Sequence, residues 1–156
     1  KTLFPYTTLF RSPYKLPNDW EWRKLVDVAE IVGGGTPKTH IDEYWNGDII
    51  WLSPTDLGSI GEIVAVSDSA KKITKVGLNS SSAKLLPIGT ILFSSRASIG
   101  KIGIAQTELA TNQGFANFIC KPVIYNRYLA FCFSRFWSDI ENLSNSTTTR
   151  HQAIQY

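Results

Sequence analysis

The stretch LFSSRASIGKIGIA at residues 92–105 and the short TNQGF at 111–115 gather the side chains of this chain best equipped to recognise a ligand. Ser94, Ser95 and Arg96 leave an apolar run together, a second run returns through Lys101, and Asn112 and Gln113 stand just before a glycine. A guanidinium offers a planar fork of donors that fits phosphate or guanine, while Asn and Gln amides can pair bidentately with adenine. The same residues have a structural use. Arg96 can be held in an internal ion pair with Asp56, and Asn112 and Gln113 can satisfy backbone groups of their own loop. Residue chemistry alone leaves both uses open.

A second group lies in IVGGGTPKTHIDEYW, residues 31–45, where a triple glycine and Pro37 precede Lys38, Thr39 and His40. A phosphate-binding loop needs a glycine directly before its lysine and another five residues further back. Pro37 and Val32 occupy those positions, and proline has no N–H to give a phosphate. The dinucleotide fingerprint is equally absent, since no G-x-G-x-x-G follows an apolar strand. What remains is a glycine run feeding a rigid turn that presents polar side chains, either as a plain surface turn or as a contact surface.

Catalytic arrangements do not emerge. The chain has two histidines, and His151 stands in a patternless tail; no G-x-S-x-G elbow accompanies His40. Asp42, Glu43, Asp48, Asp56 and Glu62 are scattered, without the carboxylate and lysine array of a metal-dependent nuclease. No methyltransferase N-P-P-Y motif is found. The expectation is a binding module with no catalytic residue, no metal and no cofactor.

The elements that must position these loops follow from pattern. With 156 residues, 43% of them hydrophobic, the chain suits one domain with a core of its own. A net charge of +3 permits a polyanionic partner without requiring one. Residues 22–32 read as a short helix or a strand ended by Gly33–Gly35. Strands are expected at 47–53, 61–67, 89–95 and 115–121, and a half-buried one at 99–106. A short helical turn broken by Gly77 is expected within 71–87. From Arg127 to Leu143 apolar residues recur at three- and four-residue steps, predicting an amphipathic helix with Asn126 as its N-cap. The resulting fold class is α+β, a single domain with a twisted, mostly antiparallel β-sheet and a C-terminal amphipathic helix. Cys120 and Cys132 sit in apolar surroundings and read as buried thiols. Trp45 and Trp51 read as core rather than as base-stacking platforms. No apolar run approaches the length of a membrane span, and no signal-peptide pattern opens the chain, so a reducing cytoplasm is expected.

Five motifs, GGGTP, YWNGDIIWLSPTDL, ITKVGL, LLPIGTILFSSRASIGKIGIA and TNQGF, in this order and spacing resemble the target-recognition domain of type I restriction–modification specificity subunits. The likeness covers about residues 20–145. It implies one half-site reader of a bipartite double-stranded DNA sequence, with methyltransferase (modification) and restriction subunits as partners that hold the enzymatic activities. A close alternative is the recognition module of a single-chain type II restriction–modification enzyme. The resemblance places the loop from Gly33 to Trp45 near DNA, with Lys38, Thr39 and His40 available to phosphates or base edges. Ser94, Ser95, Arg96, Lys101, Asn112 and Gln113 complete the expected DNA-binding set, although SSRASIG and TNQGF also suit a scaffold shared by readers of different sequences. Base choice would then sit in loops 36–43, 53–62 and 67–84. Residues 1–12 match neither the family nor a regular pattern and resemble a translated sequencing-adapter remnant, a non-native extension. No Met occurs anywhere in the chain, so the sequence is expected to be a fragment. Residues 146–156 read as a truncated tail leading to a missing spacer helix.

Overall fold

The computed structural model describes residues 17–19, 21, 23–96 and 98–147, the last nine as backbone only. The extension proposed for residues 1–12 and most of the 146–156 tail lie outside them. A five-stranded sheet has the order β1 (Ala29–Gly33), β8 (Phe115–Cys120), β5 (Ile91–Ser94), β6 (Ile102–Ala105), β3 (Ile63–Val66). A second sheet of three strands has β2 (Trp45–Leu52) between β4 (Lys71–Ile73) and β7 (Ala110–Thr111). Four of the six pairings among the described residues are antiparallel; β3 with β6 and β2 with β7 are parallel. The class is α+β, as the sequence pattern indicates.

Strand alternation divides the core into layers. On β5, Ile91 and Phe93 face one way and pack with Ile102, Ile104 and Phe118 against Leu129, Ala130 and Phe133 of the helix α3 (Asn126–Thr147). Between them, Leu92 faces the other way and joins Ala105, Phe115 and Leu52 of the three-stranded sheet. Each such buried Leu or Phe contributes on the order of 1.5–3 kcal/mol, which seats α3 on one face and the small sheet on the other. Strand β6 is buried at all four positions, not half-buried. Its Gly103 lies under Leu57, Val66 and Leu92, where a Cβ would already be 2.9 Å from two of those side chains.

Local chemistry explains the other departures from expectation. Residues 22–32 hold both a helical turn, α1 (Leu25–Val28), and β1. Segment 71–87 supplies strand β4 before its short helix α2 (Lys75–Asn79). Gly77 does not break that helix but sits inside it, buried, because any Cβ there would lie 2.3 Å from the Tyr44 carbonyl oxygen. Thr74 caps α2 by accepting from the Gly77 N–H at 3.0 Å. At the head of α3, Asn126 accepts from the Arg127 N–H at 2.8 Å and donates to the Gly89 carbonyl at 2.9 Å. Cys120 and Cys132 are free and half-buried rather than fully enclosed. No helix among the described residues is long and apolar enough to cross a membrane.

Candidate nucleic-acid interface

Four loops leave the C-terminal ends of β1, β2, β5 and β7, and all four are tied together. Gly35 N–H donates to the Thr111 carbonyl at 2.8 Å, Asn112 N–H to the Leu52 carbonyl at 2.8 Å, and Ser95 N–H to the Gly114 carbonyl at 2.8 Å. The Lys101 ammonium donates to the Pro54 carbonyl at 3.1 Å and stands 3.5 Å from that of Leu57. Loops 34–41, 53–57, 95–101 and 111–114 therefore form one continuous surface at one end of the strands.

The glycine loop owes its path to close packing. A Cβ on Gly34 would sit 1.9 Å from the Asn112 carbonyl oxygen, and one on Gly35 would sit 2.2 Å from the Ala83 nitrogen. Pro37 is fully buried beneath the turn. The Trp51 indole N–H donates to the Gly35 carbonyl at 2.9 Å and the Trp45 indole N–H to the Lys38 carbonyl at 3.2 Å. Thr36 donates its hydroxyl to the side-chain carbonyl of Gln113, joining the GGGTP and TNQGF motifs directly. Beneath them the buried Asn117 amide donates to the Val32 carbonyl at 3.0 Å and to Thr111 Oγ1 at 2.8 Å.

The nine expected binding residues separate on this surface. Lys38, Thr39 and His40 are exposed at the tip of their turn, and Arg96 and Gln113 are exposed on the neighbouring loops. Ser94 does not belong to the exposed set: it is wholly buried, donates to the Ser98 carbonyl and accepts from the Lys101 N–H at 2.9 Å. Ser95 is half-buried against Gly114. Asn112 uses its side-chain oxygen on the Gly114 N–H at 2.8 Å, the backbone-satisfying use that its residue type also allowed. Lys101 points inward at carbonyls rather than outward. The pairing of Arg96 with Asp56 is not formed: the Asp56 carboxylate accepts from the Ser53 N–H and hydroxyl, each at 2.8 Å, closing a capping box over Pro54–Asp56. Among the described residues Arg96 makes no ion pair. Thr36 and Thr55 also line the surface without having been singled out individually, the second hydrogen-bonded to Ser53 at 2.7 Å. Their sequence signal is membership of loops 36–43 and 53–62 and of the motifs GGGTP and YWNGDIIWLSPTDL.

The tryptophans behave as core side chains with polar edges. Trp51 is 5% exposed and meets Trp45 edge to face, with centroids 5.1 Å apart. Lys71 Nζ lies 6.0 Å from the Trp45 ring centroid. The surface thus offers an exposed cationic fork, an ammonium, an imidazole and amide or hydroxyl groups, all on loops anchored from below.

A family model described as the type I restriction modification DNA specificity domain matches residues 17–154. The chain is 44% identical over 119 residues to the specificity subunit of the type I restriction enzyme MjaIX from Methanocaldococcus jannaschii, covering 76% of this chain and 27% of that protein. It is 39% identical over 80 residues to the EcoR124I/EcoR124II specificity subunit from Escherichia coli, covering 51% and 19% respectively. The crystal structure of the HsdS subunit from Thermoanaerobacter tengcongensis shares the fold, with a TM-score of 0.63 at 20% identity over 83% of this chain and 30% of that one. The chain spans less than a third of the length of each of these relatives.

Proposed function

Since the chain belongs to the type I restriction modification DNA specificity domain family, we propose that it reads one half of a bipartite duplex DNA sequence within a type I restriction–modification complex. Methylation and cleavage then belong to methyltransferase and restriction subunits that assemble with the longer protein, in the cytoplasm. The observation that carries this reading is the convergence of four loops at one end of the strands, with Lys38, Thr39, His40, Arg96 and Gln113 exposed together. Arg96 serves the phosphate backbone, and the 38–40 tip reaches base edges or adjacent phosphates. The named relatives are type I specificity subunits, which favours this assignment over a single-chain type II enzyme.

Arg96→Ala tests the proposal. An exposed arginine that makes no ion pair among the described residues should be removable at no cost to the melting temperature. Duplex affinity should fall about equally for all sequences, and the plot of log affinity against log salt should lose roughly 0.9 of a unit of slope. Wild-type binding that does not respond to salt would refute the DNA reading.

A further inference from the structure

We infer that Trp45 and Trp51 are positioning residues that hold the Lys38–His40 tip in a preset shape for reading, an inference that rests on the DNA-reading proposal above. Both indole N–H groups end on carbonyls of the same short segment, Gly35 and Lys38, on either side of Thr36 and the buried Pro37. The two rings brace each other edge to face at 5.1 Å. Both belong to β2, which is paired on each side, so the clamp is anchored in a sheet rather than in another loop. The Lys38 carbonyl is the pivot. It accepts the Trp45 indole N–H at 3.2 Å and also the Ile41 N–H at 3.3 Å, and the latter bond closes the turn carrying Thr39 and His40. A loop of glycines would otherwise sample many shapes, and each would have to be lost again on binding. With Trp51 buried, and Trp45 packed on the Trp51 ring with Lys71 Nζ 6.0 Å from its centroid, the polar edges of the rings rather than their faces serve recognition.

Trp45→Phe removes the N–H and keeps an aromatic ring at a half-buried position. In the free protein, amide exchange of Ile41 should speed up about fivefold, the loss of one ordinary hydrogen bond, while exchange in β5 and β8 stays as in wild type. In an assembled complex whose specificity subunit carries this domain, discrimination between the cognate duplex and one altered in this half-site should fall by a similar factor. The salt slope should not change, because no phosphate contact is lost. Trp51→Phe, which frees the Gly35 carbonyl, should repeat the pattern. Unaltered Ile41 exchange in both variants would overturn the positioning role whatever the DNA result. Faster exchange with full discrimination would show that the tip's shape does not serve reading. Absence of duplex discrimination by the wild-type complex would overturn the DNA reading itself, separately from the loop measurement.

Discussion

Replacing Gly34 with alanine puts the packing of the interface to a sharp test, because its neighbour Gly33 provides the control. A Cβ at Gly34 would stand 1.9 Å from the Asn112 carbonyl oxygen and 2.5 Å from both the Thr111 carbonyl oxygen and Thr111 Oγ1. Two of these atoms are backbone and cannot swing aside, so loops 34–41 and 111–114 must part by roughly 1.5 Å to restore ordinary contact. Overpacking of this kind costs about 1–3 kcal/mol. The hydrogen bonds Gly35 N–H to Thr111 and Asn112 N–H to Leu52, both 2.8 Å, are strained at the same time, at about 1 kcal/mol each. A total of about 3–5 kcal/mol corresponds to a melting temperature lower by roughly 8–20 °C in a domain of this size. At Gly33 a Cβ meets nothing within 4 Å and the backbone is not in the left-handed region. Gly33→Ala should therefore be neutral, or stabilising by up to about 1 kcal/mol. Differential scanning calorimetry of the two variants measures the contrast. If Gly34→Ala melts within about 2 °C of wild type, the close approach of the two loops is wrong, and with it the continuity of the surface.

Lys101→Met keeps the aliphatic stem and removes the charge-assisted bond to the Pro54 carbonyl, so stability should fall by about 1–2 kcal/mol while the salt slope of DNA binding stays at the wild-type value; a smaller slope with an unchanged melt would return Lys101 to the phosphate contacts. Burial pushes the Cys120 thiol above its ordinary value of 9.0, so iodoacetamide at neutral pH should label it more slowly in the native protein than in the denatured chain. The sign for stability follows: the folded chain holds this proton longer than the unfolded one, so its contribution is complete below pH 9.0 and is lost as pH rises through the folded-state value. Equal labelling rates in the native and denatured protein would contradict the burial.

Legibility in the sequence followed the range of the contacts. Strand β5 shows as a short apolar run because both of its faces are buried, and helix α3 shows in the three- and four-residue recurrence of the side chains it buries. Strand β7 has two residues and β4 has three, too short for any period to register, and both exist because β2 lies between them. The roles of the interface residues were harder still. Thr36 meets Gln113 across 77 positions, so the Gln113 amide could be recognised as capable of pairing but not with what, and the buried Asn117, which meets Val32 across 85, gave no local signal. Lys101 and Ser94 look like ligand-binding types in the sequence, yet their partners are carbonyls and amides that only the folded hairpin supplies. The exposure of Lys38, Thr39 and His40 was the easiest part to anticipate, because Gly and Pro punctuation marks a turn without reference to distant residues.

The pairing of β1 with β8 also bears on how the protein is made. Ala29 lies opposite Cys120 and Gly33 opposite Ala116, so the first strand of the sheet has no neighbour until the last has been synthesised. At ribosomal rates of about 5–20 residues per second, the apolar AEIVG segment waits roughly 5–20 s with its edge open. Strands β5 and β6, adjacent in sequence, can close as a hairpin in the meantime and offer a template on which β8 and then β1 add. The glycine loop, which follows β1 and leans on residues 111–114, is among the last parts to set. The surface formed by the four loops is thus absent from every nascent chain shorter than about 120 residues.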